Sequence, residues 1–322
     1  MVQQSSKLRW QAAVGVLLAF WLNACKEQTA NRTNPGADNK PNVVATSTII
    51  ADLTERVGQG EIELTGILPP GSDPHVYEPV PKDTQALEKA NLILYNGYNL
   101  EPGLIKLMNA AGIKSRKVAV GEVVKPLQLQ KDGKETVPDP HVWGDVENAI
   151  QMVNAIRDAL IEISPEDREI FTKNAAQLNG ELKQLDTWIA QQIQTIPPQK
   201  RKLVTTHDAF QYYARAYGLS IIGTLIGIST EEQPSAKTVQ QLVEALKQTQ
   251  VPAIFAETTI NPALINTVAQ EARIKLAPQQ LYSDSIGAPN SEANSYIKMM
   301  EANTRTIVEA LGGKSVPFRG NG

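Results

Sequence analysis

The sequence has little of several things. Its 322 residues include one cysteine, Cys25, so no disulfide can form within the chain and no cysteine-based zinc site can be built. It has three histidines, His75, His141 and His207, and any imidazole chemistry must draw on those three. Aromatic residues make up 5%, and no run of five or more basic residues occurs. A base-stacking or phosphate-tracking surface is therefore not expected, and nucleic acid is not expected as a partner. The apolar run at 10–22 would cover about 20 Å as a helix, too short for a hydrocarbon core of about 30 Å. What is present is ordinary for a globular protein: 42% hydrophobic and 20% charged residues with a formal charge of -3, which argues against a disordered or fibrous chain.

Lys7 and Arg9 precede that apolar run, the order of an export signal. The run closes on Leu22-Asn23-Ala24-Cys25, which resembles a bacterial lipobox. Residues 1–24 are expected to be a lipoprotein signal peptide, with Cys25 lipidated as the mature N-terminus. Residues 26–42 hold no large apolar side chain, so 25–42 reads as a flexible tether. The folded body is expected outside the cytoplasm, in the periplasm or on the outer face of the cytoplasmic membrane, held there by its lipid.

From residue 43 onward, short apolar segments alternate with amphipathic ones. Strands are expected at 43–47, 61–68, 91–95, 117–120, 202–206, 220–225, 251–256 and 275–281. Helices are expected at 49–57, 84–90, 104–111, 145–163, 209–217, 235–248, 262–273 and 291–311. This is a βα rhythm with mostly parallel sheets. It is interrupted by one long stripe, Phe171, Ala175, Leu178, Leu182, Leu185, Ile189 and Ile193, in a helix expected over 165–196. The expected fold class is α/β, with two lobes, each a mostly parallel sheet flanked by helices, bridged by one long rigid helix. The expected division is 43–163 for the first lobe, 164–198 for the linking helix and 199–322 for the second lobe. The tail 315–322 gives little reason for order.

All three histidines fall beside strand ends or in the loops that follow them, where ligands collect in α/β sheets. His75 and His141 each stand in an Asp-Pro-His tripeptide, Asp73-Pro74-His75 and Asp139-Pro140-His141. Proline stiffens both loops, and Asp73 and Asp139 could hold nearby amides or orient a ring. His207 ends the 202–206 strand. A three-imidazole cation site calls for a carboxylate, and Asp284, beyond the 275–281 strand, is the best candidate. Glu257, beyond 251–256, competes with it, either as a ligand or as a partner behind one. Three nitrogens and one carboxylate suit Zn2+, Mn2+ or Fe2+ rather than Ca2+ or Mg2+.

Taken with Gly71-Ser72-Asp73-Pro74-His75, Asn96-Gly97 with Leu100-Glu101, Asp139 to Trp143, Gly227 to Ser235 and Tyr282 to Ser285, the lipobox makes the chain similar to the cluster A-I solute-binding lipoproteins of manganese and zinc ABC importers. That resemblance covers nearly the whole mature chain. It implies two α/β lobes around a long helix and a cargo of Mn2+ or Zn2+, with Fe2+ ranked behind them. It carries the four metal ligands onto His75, His141, His207 and Asp284. It implies a monomer that serves a permease and an ATPase and is not an enzyme. Manganese-dedicated members often have glutamate where this chain has His207, and zinc-dedicated members usually carry a His-rich loop where Gln128 to Pro138 holds no histidine. The chain thus falls between the subtypes. The alternative is a zinc-dependent hydrolase using the same histidines with an open water position. No His-Glu-x-x-His helix or Gly-x-Ser-x-Gly elbow supports it.

Overall fold

Consecutive buried apolar residues, rather than alternating ones, build the central strands, as a parallel sheet covered on both faces requires. In β1 (Asn42–Ala45), Val43, Val44 and Ala45 are buried, and in β2 (Glu63–Gly66) and β3 (Leu92–Tyr95) the pattern divides: β3 buries Leu92, Ile93 and Leu94, while β2 lies at the sheet edge and is largely exposed. With β4 (Arg116–Ala119) they form an all-parallel sheet in the order β2-β1-β3-β4. The crossovers are α1 (Thr48–Gly58), α2 (Pro81–Lys89) and α3 (Pro102–Ala110). Ser47 caps α1 by accepting the Ile50 amide at 3.3 Å. Pro81 and Pro102 open α2 and α3, where a missing N–H costs no helical bond.

The computed structural model describes residues 40–131, 135–249 and 251–320. The expected signal peptide, Cys25 and positions 26–39 of the tether lie outside them. After β4 comes an antiparallel hairpin, β5 (Gln128–Lys131) and β6 (Glu135–Pro138), then α4 (Val146–Ile163), capped by Asp145. Pro165–Asp167 form a 3-10 turn, so the long helix begins later than expected, as α5 (Arg168–Gln194). Its 27 residues span about 40 Å, and all seven residues of its apolar stripe are buried.

A second lobe repeats the first. It contains β7 (Lys202–Thr205), α6 (Gln211–Tyr217), β8 (Ser220–Thr224), α7 (Ala236–Thr249), β9 (Ala253–Ile254), α8 (Ala263–Ala272) and β10 (Lys275–Leu276). β7 pairs with β8 and β9 with β10, both parallel. The Phe255 amide donates to Val204 O at 2.9 Å, joining the two pairs in the order β8-β7-β9-β10, the same topology as the first sheet. The last helix, α9 (Tyr296–Ala310), packs on α5 and α1, and its first amide, Tyr296 N–H, donates to Asp52 Oδ2 at 2.9 Å. Among the described residues no helix is long and apolar enough to cross a membrane.

Three local features differ from the sequence reading. Segment 128–138, given no element from the sequence, holds the paired strands β5 and β6; they are short and polar, so alternation did not reveal them. β9 and β10 are two residues each, shorter than the apolar runs, because Pro252 and Pro278 lack the N–H that a ladder uses. Residues 315–318 are ordered against the helices rather than free. Trp188 Nε1 donates to Val316 O at 3.1 Å, Val316 N donates to Gln192 Oε1 at 2.9 Å, and Phe318 lies on the Trp188 ring with centroids 5.7 Å apart. These are long-range contacts that leave no periodic trace.

Candidate metal centre

Four loops bring His75, His141, His207 and Asp284 together. His75 lies in the loop after β2, where Gly71 takes a φ of +82°, open to glycine at little cost. His141 follows β6 through Asp139-Pro140 and starts the turn into α4. His207 stands just past β7, and Asp284 just past Leu281, which bridges to Glu257 beyond β9. All four are buried. One donor atom from each lies within 4.8 Å of the others. His75 Nε2 and His141 Nε2 are 3.2 Å apart, His207 Nε2 and Asp284 Oδ2 3.2 Å, and His141 Nε2 and Asp284 Oδ1 3.5 Å. Four donors about 2.0–2.1 Å from one ion stand about 3.3 Å apart in a tetrahedron, and these three separations lie close to that value, so the four groups are near enough to share one ion. His207 Nε2 and both Asp284 oxygens have no hydrogen-bond partner outside the cluster, so a cation at its centre would satisfy them.

The rings are held from behind. Asp139 Oδ1 accepts both the backbone N–H of His141, at 3.0 Å, and its ring Nδ1–H, at 2.7 Å. Glu257 grips His207 with two oxygens: Oε1 accepts the backbone N–H at 2.8 Å, and Oε2 pairs closely with Nδ1. Each pairing leaves Nε2 facing the cluster. Glu257 thus stands behind His207, while Asp284 faces the cluster. Asp73 takes only the His75 backbone N–H, at 2.9 Å; its other oxygen accepts Thr230 Oγ1–H at 2.5 Å.

Electrostatics follow from this packing. Burial drives the His75 pKa down to about 3, helped by the neighbouring imidazoles and opposed by Asp284, so its ring is neutral. Burial also disfavours charge on His207, but Glu257 and Asp284 outweigh it and raise its pKa well above the ordinary value. Burial disfavours ionised Asp284 too, yet His207, His141 and His75 together hold its pKa below the usual carboxylate range. The metal-free cluster is therefore an imidazolium–carboxylate pair beside a neutral imidazole. A divalent ion would take the place of the proton.

Several supporting residues carried no role in the sequence reading. Trp143 Nε1 donates to Ser283 O at 2.9 Å, and its ring lies edge-on to His141, centroids 5.5 Å apart. Ser285 Oγ accepts the Gly71 amide at 2.8 Å and contacts Thr48 Oγ1 at 3.1 Å. These bonds fix both flanks of Asp284 to the first lobe. Thr230, within the 227–235 motif, ties that loop to Asp73. Tyr212, Tyr213 and Tyr217 are buried packing residues; Tyr212 OH also donates to Asp139 O at 3.1 Å.

Comparison with known proteins gives a consistent picture. Residues 43–310 match the family model described as ZnuA, zinc-uptake complex component A, periplasmic. The chain is 35% identical over 305 residues to the metal ABC transporter substrate-binding lipoprotein FimA of Streptococcus parasanguinis, covering 93% of this chain and 97% of that one. It is 33% identical over 309 residues to the manganese-binding lipoprotein MntA of Bacillus subtilis, covering 94% and 100%. The periplasmic zinc-binding protein TroA of Treponema pallidum superposes with a TM-score of 0.80 at 33% identity, covering 85% of this chain and 99% of that chain.

Proposed function

The chain belongs to the ZnuA family of metal-uptake components, and from that premise we propose that it captures Mn2+ or Zn2+ through His75, His141, His207 and Asp284 and delivers the ion to an ABC permease. The observation that carries this reading is the convergence of four buried donors within 4.8 Å of one another. The chain's own work is binding. His75 is kept neutral and ready to donate, Asp139 and Glu257 aim two Nε2 atoms at the cluster, and Asp284 supplies one negative charge. Fe2+ ranks behind the other two ions. Asp284 occupies the fourth position that a hydrolytic metal would keep for water, which favours a carrier over an enzyme.

The working partners are a permease and an ATPase of the same transporter. Relatives named as lipoproteins support an extracytoplasmic location, with Cys25 as the lipid anchor and residues 26–42 as the tether to the membrane. The protein acts as a monomer, with 43–163 and 199–322 as metal-binding lobes and 164–198 between them. His207→Ala tests the assignment directly. In competition titration with a chromophoric chelator, affinity for both Mn2+ and Zn2+ should fall; unchanged affinity for both would remove His207 from the ligand set.

A further inference from the structure

Glu257 is fully buried, and both its oxygens are committed to one residue, His207. Among the described residues, no lysine or arginine forms an ion pair with it. A buried carboxylate with no lysine or arginine to neutralise it directs its charge onto the group it touches. Here that is the Nδ1–H of an imidazole whose Nε2 points at Asp284, 3.2 Å away. The three imidazoles are not supported alike. Asp139 divides a single oxygen between the ring and backbone of His141, while Asp73 touches only the backbone of His75. His207 alone has a whole carboxylate oxygen for its ring.

We infer that Glu257 is a positioning residue that also sets metal preference, supporting Mn2+ more than Zn2+. This rests on the ligand assignment proposed above. A carboxylate on Nδ1–H fixes the tautomer and makes Nε2 a more basic, partly anionic donor. Imidazole suits Zn2+ well, whereas Mn2+ stands lowest in the Irving–Williams order and favours oxygen donors and charge. A cluster of three nitrogens and one carboxylate is nitrogen-rich for Mn2+. Charge passed through His207 compensates Mn2+ for that deficit, and Zn2+ needs it less.

The test compares wild type, Glu257→Gln, Glu257→Asp and His207→Ala by competition titration with Mn2+ and Zn2+ at one pH, with Co2+ absorption as a check on coordination. In Glu257→Gln the shape is kept and the charge is lost. Mn2+ affinity should fall about 10- to 100-fold, Zn2+ affinity by a clearly smaller factor, and the four-coordinate Co2+ bands should persist. Glu257→Asp keeps the charge with a shorter reach; both affinities should weaken while their ratio stays near wild type. Equal losses in Glu257→Gln would mean a merely structural role and would overturn the inference, as would unchanged affinities or lost Co2+ bands. If Glu257→Gln does not fold, a shifted ratio in Glu257→Asp overturns it and a preserved ratio supports it. The His207→Ala arm separates the two levels. If that variant binds both metals as wild type does, the ligand assignment itself fails; if it weakens binding while Glu257→Gln loses both metals equally, only the present inference fails.

Discussion

Metal affinity should decline with acid earlier, and more gently, than three ordinary imidazoles would require. Ordinary imidazoles titrate near about pH 6.5, so such a site would bind with constant affinity above neutrality and lose metal steeply below about pH 6. The cluster here is different. His207 is held protonated by Glu257 and Asp284 well above the ordinary value, so an ion bonding to Nε2 must displace a proton even at neutral pH. His75, with a pKa of about 3, has no proton to give up over the same range. The sign follows: a raised pKa stabilises the protonated, metal-free form, so lowering the pH favours release. One displaced proton makes the apparent Kd rise tenfold for each pH unit lost, about 1.4 kcal/mol. For as long as metal-free His207 holds its proton, each pH unit lost thus contributes about a tenfold loss of affinity. Competition titration at stepped pH measures the slope, and a pH indicator in weak buffer counts protons released per ion, with about one expected from His207 near neutrality. No release near neutrality, with affinity flat down to about pH 6, would refute a protonated His207 in the metal-free protein.

Other consequences can be checked separately. Leu182 is fully buried on α5, so Leu182→Ala should cost about 2–5 kcal/mol in denaturant unfolding while leaving metal affinity intact. Trp143→Phe keeps a ring beside His141 but removes the Nε1 bond to Ser283 O; one lost hydrogen bond is worth about 0.5–1.5 kcal/mol, so metal affinity should weaken about 2- to 10-fold in the same titration. Glu101 is buried, Thr46 and Asn96 donate to its Oε1, Oε2 has no partner, and burial raises its pKa from 4.5 to about 7. The unfolded carboxyl ionises first, so wild-type stability should drop by about 3 kcal/mol as pH rises from about 4.5 to 7, and Glu101→Gln should abolish that drop in unfolding curves.

Much of the frame was readable because it rests on local patterns. Val43 to Ala45 and Leu92 to Leu94 announce buried parallel strands as apolar runs, and the α5 stripe announces a long helix. The scarcity of histidine did similar work for the site: with three in the chain, each beside a strand end or in a loop after one, few other meeting places were open. What stayed hidden depends on partners distant in sequence. The 315–318 segment is ordered by Trp188 and Gln192, and the 227–235 loop is fastened to Asp73 by Thr230. The β5–β6 hairpin needed register, not hydrophobicity, to be seen.

The choice between Glu257 and Asp284 shows where sequence reasoning stops. Both are acids just past strand ends, and their segments are neighbours, since Glu257 bridges to Leu281. Composition and spacing treat them alike. Three residues of chain separate them in effect. Glu257 sits at the bridge itself, beside the end of β7, so its short reach ends on the backbone and Nδ1 of His207. Asp284 lies beyond the bridge, where the chain has left its own sheet. Trp143 there holds Ser283 O, and Thr48 and Gly71 hold Ser285, so the side chain between them turns toward Nε2 of both His141 and His207. A carboxylate behind the ring and a carboxylate before it thus differ by which lobe secures the flanking backbone, a property of the assembled fold rather than of either residue.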